Sequence, residues 1–284
     1  MPKDTLVKNI MTKSVISVSL PGSRDEVLGL LRDKKISGVP VMKNGELIGI
    51  VTRSNLLKNP EEDQLALLMT RTPVTITQNK SIVDAAKLLI AQDISKLPVL
   101  NKNGKMTGLV TTSDIVDSIA TLNITEPIRN HLSNGVVSVW DKTPLSVVAR
   151  IMELSNVKAV PILDSDLELV GIISESDIIS ASVVQDSIEV SDMSAGSDDD
   201  DWTWESYRDT MSLYYSVSKI NVPKIPVSEF MIKKPITVSC NSEISECALE
   251  MKKSNINQIP VINTEQKLLG LMRSRDFLKV LIKE

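Results

Sequence analysis

Four corners of this 284-residue chain set a polar side chain three residues ahead of a carboxylate or its amide: Thr52 with Asn55, Thr111 with Asp114, Ser174 with Asp177, and Arg273 with Asp276. A carboxylate so placed can accept hydrogen bonds from two hydroxyls at once. The Thr or Ser before it, beside the free backbone N–H groups of a helix start, suits a phosphate. Helix capping and macrodipole complementarity select the same spacing with no ligand at all. The corners are not equivalent. Asn55 offers one acceptor oxygen and no charge, which weakens any site built on it. Arg273 either clamps a phosphate bidentately or fills the pocket with its bulk, and both readings stand.

Each corner closes a longer phrase that occurs four times. Ile36-Ser37-Gly38-Val39-Pro40-Val41 leads to the first, Ile94-Ser95-Lys96-Leu97-Pro98-Val99 to the second, Val157-Lys158-Ala159-Val160-Pro161-Ile162 to the third and Ile256-Asn257-Gln258-Ile259-Pro260-Val261 to the fourth. A glycine (Gly49, Gly108, Gly171 or Gly270) then opens an apolar run into the corner. Self-similarity of this kind defines the fold before any other signal. The spacing of the prolines is similar up to Pro161 and longer to Pro260, so an insert separates the last two units. The expected division is 1–60, 61–122, 123–185 and 227–284, with an acidic and aromatic insert at 186–226.

The elements that must position the corners read the same way in every unit. A β-branched run opens it: Val15–Val18, Val74–Ile76, Val136–Val139 or Ile236–Val238. An amphipathic helix follows. Ile82, Ala85, Ala86, Leu89 and Ile90 recur at helical spacing behind a Ser81 cap, and Leu145, Val148, Ile151 and Met152 do so behind Thr143-Pro144. Two strands joined by a tight turn come next, with Asn44-Gly45 and Asn103-Gly104 as hairpin signals, Asp164-Ser165-Asp166 and Asn263-Thr264-Glu265 elsewhere. The last helix starts at the corner. This predicts an α+β fold of four β-α-β-β-α units. Within the insert, residues 191–201 read as solvated linker. Trp204, Tyr207 and Met211 fit a short helix, and Met211 to Val217 alternate as a strand.

Bulk properties narrow the function. Units of this size are marginal alone and are expected to pair. A net charge of −4 and a pI near 5.3 leave no electrostatic footprint for nucleic acid or anionic lipid. No apolar run approaches a membrane span and no secretory h-region opens the chain. Cys240 and Cys247 cannot build a disulfide framework or a four-ligand metal site, so a reducing cytoplasm is expected. The lone histidine, His131, lies just before the third unit's first strand, and no Gly-x-Ser-x-Gly elbow, Walker loop or dinucleotide loop is present. No catalytic residues and no metal are expected.

Hydrophobic-x-x-hydrophobic-Pro-Val followed by Gly-hydrophobic-Thr/Ser-x-x-Asp resembles the CBS domain, named after cystathionine beta-synthase. Four copies resemble the gamma subunit of AMP-activated protein kinase and the stand-alone CBS proteins of archaea. The resemblance covers nearly the whole chain apart from the insert. It implies that units one and two, and three and four, pair as pseudo-twofold modules whose clefts bind adenosine-containing ligands: AMP, ADP, ATP or S-adenosylmethionine. Asp114, Asp177 and Asp276 would then hold ribose hydroxyls, with Thr52, Thr111 and Ser174 near phosphates, and Thr75, Ser138 and Thr237 on the opening strands would line the ligand. Lys96 and Lys158 resemble positions where the kinase subunit turns basic residues toward phosphates; for each, an exposed surface lysine is the alternative. The function implied is non-enzymatic: an adenine nucleotide acts as regulatory ligand, not cofactor, and its level is reported to a protein partner. A homodimer is compatible with it. A second reading is an interaction scaffold with vestigial clefts, favoured by Asn55 and Arg273, in which the insert's aromatics dock a partner. Docking of the insert on the chain's own surface is the alternative for those residues.

Overall fold

The computed structural model describes residues 5–132, 135–193 and 211–282. Unit one contains α1 (Val7–Ile10), β1 (Val18–Ser19), α2 (Arg24–Asp33), β2 (Gly38–Lys43), β3 (Glu46–Thr52) and α3 (Arg53–Lys58). Unit two follows with α4 (Leu65–Leu68), β4 (Thr70–Arg71), β5 (Ile76–Thr77), α5 (Ile82–Ala91), β6 (Lys96–Leu100), β7 (Met106–Thr111) and α6 (Thr112–Ile119). Unit three has β8 (Val139–Trp140), α7 (Leu145–Leu154), β9 (Ala159–Leu163), β10 (Leu169–Ser174) and α8 (Glu175–Ala181). A hairpin of β11 (Val183–Met193) and β12 (Met211–Asn221) precedes unit four: β13 (Ile232–Lys233), β14 (Val238–Ser239), α9 (Ile244–Ser254), β15 (Gln258–Ile262), β16 (Leu268–Arg273) and α10 (Ser274–Ile282).

The four units are built alike. The opening strand pairs parallel with the strand after the first helix, as β1 with β2, and that strand pairs antiparallel with the next. A parallel neighbour requires a crossover, which the first helix of each unit supplies. That helix ends each time on a left-handed residue, Lys35, Asp93, Asn156 or Asn255, at φ between 51° and 52°. Only the ends of the β-branched runs join a ladder. The hairpin turns divide by chemistry. Asn44-Gly45 puts both residues at positive φ, whereas Asn101, Asp164 and Asn263 each use a side-chain oxygen to accept two backbone N–H groups. Ser81 caps α5 as expected, while α7 starts one residue after Pro144, which holds the cap position itself.

Units one and two are joined by exchanging their leading segments, and so are three and four. β4, which leads unit two, adds to the edge of β3, and Thr12 of unit one exchanges backbone hydrogen bonds of 2.9 Å with Leu109 on β7. β13, leading unit four, adds to β10. A methionine of the incoming segment covers a bare glycine in the receiving strand: Met69 over Gly49, Met11 over Gly108 and Met231 over Gly171, with Leu132 over Gly270 in the fourth case. The repeated glycines are therefore where the exchanged segments pass closest. A Cβ at Gly108 would lie 2.9 Å from the Thr12 carbonyl oxygen, which the ladder holds in place. Gly108→Ala is expected to cost about 1–3 kcal/mol, read as a lowered urea midpoint. An unchanged midpoint would mean that the segment is not seated there.

The modules meet through helices, and this contact reassigns the cores. α10 packs on α5 and α6, and α6 on α9, so units two and four share one cluster that includes Leu89, Ile115, Ile119, Ala248, Met251 and Phe277. α8 packs on α2 and α3, bringing Ile179 into the core of unit one.

The insert departs from its sequence reading. Residues 191–193, read as linker, belong to β11, whose ladder with β12 runs from Val183–Asn221 to Met193–Met211. The extended reading of residues 211–217 agrees with β12. The helix expected through Trp204 and Tyr207 lies outside the described residues. At its base the hairpin docks on unit one: Ile220, 4% exposed, joins that core, and its N–H donates to Pro60 O at 2.8 Å. Arg24, wholly buried, donates to both the carbonyl and the hydroxyl of Ser218 at 2.8 Å.

Candidate functional site

The repeated phrase and its corner are brought side by side by one hydrogen bond per unit. The carbonyls of Ser37, Ser95, Lys158 and Asn257 accept from the N–H groups of Arg53, Thr112, Glu175 and Ser274 at 3.2, 3.0, 3.0 and 2.9 Å. The residue just before the Pro-containing strand thus lies against the first turn of the closing helix in every unit.

Three corners form capping boxes. The N–H and hydroxyl of Thr111 donate to Asp114 Oδ2 at 2.7 and 2.8 Å, and those of Ser174 to Asp177 Oδ2 at 2.8 and 2.7 Å. Thr52 makes the same pair with Asn55 Oδ1 at 2.9 and 2.6 Å. The capping chemistry anticipated for the spacing is present, but it occupies only one oxygen of each group. Oδ1 of Asp114 and of Asp177 accepts no hydrogen bond from another described residue. Burial pushes the Asp114 carboxyl above the usual range, against the hydrogen bonds from Thr111. Asn55, having spent its single oxygen, turns its amide toward Thr70 Oγ1 at 3.4 Å.

The fourth corner is closed. Asp276 is wholly buried, and both its oxygens are taken: Oδ2 by the N–H and Nε of Arg273 at 3.1 and 3.0 Å, Oδ1 by Nη2 of Arg273 and Nζ of Lys279 at 3.3 and 3.2 Å. Burial alone would raise this carboxyl, but the bonds and charge of Arg273 outweigh it and hold it low. Of the two roles open to Arg273, the arrangement is that of a side chain folded onto its own corner.

Asp114 lies in an open cleft of about 330 Å³. One face of α6 supplies Asp114, Asp117 and Ser118, and Thr121 follows just past its end; the exchanged segment of unit one supplies Thr5 and Ile10; unit four supplies Lys252 from the end of α9. A cleft of this size and mixed lining is what a small polar ligand requires.

A second feature escaped the spacing. Lys96 is 7% exposed and does not face that cleft; it crosses the module to donate to Ser37 Oγ of unit one at 2.8 Å. Burial, then the like charges of Lys158 and Arg53, push its ammonium down to about 7, against the pull of Glu175. Lys158 is exposed and reaches Ser95 Oγ at 3.4 Å. Glu175 accepts from Ser54 at 2.6 Å. Three cations from three units thus converge on Glu175 and Asp177 at the Ser174–Asp177 corner. Arg53, directly after Thr52, was not singled out by the sequence; a basic residue at the first position of a closing helix was the available signal. Thr75, Ser138 and Thr237 each stand one residue ahead of an opening strand and are half-buried.

Nothing among the described residues assembles a metal cluster. Cys247 sits in the shared core, where burial pushes its thiol up to about 12, and is a packing residue. His131 is buried with its Nε2 3.0 Å from Glu126. Among the described residues no helix is long and apolar enough to cross a membrane.

Comparison with known proteins gives these features a context. The family model of the CBS domain matches residues 7–62, 64–121, 128–184 and 227–283. A CBS domain-containing protein of Dictyostelium discoideum is 35% identical over 140 residues, 43% of this chain and 95% of its own length. The crystal structure of a Methanocaldococcus jannaschii protein, described as a proposed archaeal homologue of gamma-AMPK, superposes with a TM-score of 0.77 at 17% identity, covering 97% of this chain and 99% of that one. The L-aspartate semialdehyde sulfurtransferase of the same organism is 32% identical over 111 residues, 39% of this chain but 21% of the enzyme. That likeness therefore covers a minor part of the enzyme.

Proposed function

From the premise that the chain belongs to the CBS domain family, we propose that it binds adenosine-containing ligands in the clefts of its paired units and passes their occupancy to a protein partner, without catalysing a reaction. The single observation that carries this reading is the open cleft at Asp114, where a half-buried carboxylate keeps one oxygen unengaged beside a helix start. Such an oxygen, with the capped one beside it, suits the two hydroxyls of a ribose. AMP, ADP and ATP are the ligands the reading favours at the Ser174–Asp177 corner, with phosphates drawn to Arg53, Lys96 and Lys158, and S-adenosylmethionine is the alternative. A ligand bridging two units shifts their relative placement in proportion to its differential affinity for the two arrangements. The cytoplasm is the compartment the reading assigns, and a homodimer is compatible with it.

Calorimetric titration of the full chain with AMP, ADP, ATP and S-adenosylmethionine tests the proposal. Asp114→Ala and Asp177→Ala are each expected to weaken binding by about 1–3 kcal/mol, the loss of charge-assisted hydrogen bonds. Stoichiometry should exclude the Asp276 corner, whose oxygens are already taken. Unchanged affinity in both variants would remove the two site assignments. No heat with any of the four, with an unshifted melting temperature, would favour the scaffold reading instead. The closed Asp276 corner is the observation on that side.

A further inference from the structure

The two candidate sites differ in charge, and the difference sorts ligands. The α6 cleft presents Asp114 and Asp117 one helical turn apart, and Lys252 is its only cation among the described lining residues, 3.9 Å from Asp117 Oδ2. The junction around Lys96 has the opposite balance, with Arg53, Lys96 and Lys158 against Glu175 and Asp177. Resting on the reading above, we propose that Asp117 makes the α6 cleft a site for an uncharged or cationic nucleoside, rejecting a phosphorylated one, while phosphates are confined to the junction.

The physical reasons are local. Lys252 offsets one carboxylate, so an anion entering the cleft meets a surplus negative charge at close range in a partly desolvated site, where like charges are weakly screened. Burial already pushes both Asp114 and Asp117 up, against Lys252 in the case of Asp117, and the negative charge of Asp117 adds to the rise at Asp114. A neutral nucleoside pays no such penalty, and a sulfonium or amine on its 5′ side would be attracted. Asp117 is a specificity-determining residue in this scheme. It lies one turn beyond the oxygen that would hold the ribose and makes no hydrogen bond needed by the cap.

The experiment uses the full chain carrying Asp177→Ala, which removes the junction's corner carboxylate so that heats report the α6 cleft. Adenosine, AMP and S-adenosylmethionine are titrated into this protein and into its Asp117→Asn derivative. Adenosine and S-adenosylmethionine are expected to bind at least fivefold more tightly than AMP, and Asp117→Asn is expected to shrink that ratio fivefold or more by improving AMP alone. Asp117 is half-exposed, so the amide should fold normally. A ratio that Asp117→Asn leaves within twofold, or tighter binding of AMP than of adenosine before the substitution, overturns the charge sorting while leaving adenosine recognition intact. Absence of binding by all three ligands overturns the adenosine reading itself and this inference with it.

Discussion

Replacing Lys96 with methionine should stabilise the ligand-free protein, most strongly at acid pH. The ammonium is 7% exposed, lies among like charges from two other units and has a pKa pushed down to about 7. An unfolded lysine titrates near ~10.4. Below about pH 7 both states carry the proton and the folded protein bears the full cost of a buried charge. Between the two values the unfolded chain holds the proton while the folded one does not, so wild-type stability rises with pH across that window. Methionine keeps the length and has no charge to bury. The advantage of Lys96→Met is therefore expected to shrink by roughly 2–3 kcal/mol between pH 6 and pH 9, since one pKa unit corresponds to about 1.4 kcal/mol. Urea midpoints of both proteins at the two pH values measure it, and a difference independent of pH would mean that Lys96 stays charged. A ligand phosphate at the junction would restore the proton. Binding near pH 8 should then take up protons, visible as heats that depend on the ionisation enthalpy of the buffer. A lysine unfavourable to the empty fold is reasonable where an anion is to be received.

Arg24→Ala should have an effect of similar size and opposite sign, and should act through the insert. Arg24 opens α2 with its side chain wholly buried, and its guanidinium donates to Pro60 O, to Asp25 and to two oxygens of Ser218. Alanine removes this donor from both Ser218 oxygens and opens a void beneath the hairpin. The expected cost is about 2–4 kcal/mol, from hydrogen bonds to a charged group plus lost packing. The amide of Ile220, which donates to Pro60 O, should lose hydrogen-exchange protection before the unit cores do. Loss of stability without loss of that protection would show that the hairpin base is held by Ile220 alone. Retained stability would show that the hairpin contributes nothing to unit one.

Much of the candidate site was legible because it is local. Thr111 and Asp114, or Ser174 and Asp177, lie three residues apart at a helix start, and backbone geometry alone closes the box between them. Asn55 was legible as the weak corner for the same reason. Arg273 was not, since a long side chain with several rotamers can reach outward to a phosphate or back to its own corner, and only the burial of Asp276 selects between them. Lys96 was recognised by its place before Pro98, but its direction was not. Gly38 leaves room for the ammonium on the far side of the module; a Cβ there would sit 3.2 Å from Nζ. Arg53 and Lys252 were missed because each reaches its cluster from another unit.

The sequence by itself determined four α+β units, their order of elements, and their caps and turns, because each of these is written in spacings of a few residues; the pairing into two modules was implied by the family resemblance and not by any spacing. Tertiary structure alone decided that unit two shares its core with unit four and that α8 packs against unit one. It also decided that the insert's base folds back onto Arg24 and that three lysine and arginine side chains from three units meet around Glu175 and Asp177. The physical reason is that near-identical amphipathic helices present near-identical apolar faces. Which of them meet is settled by the shape and charge of whole surfaces brought together, and no short spacing encodes that.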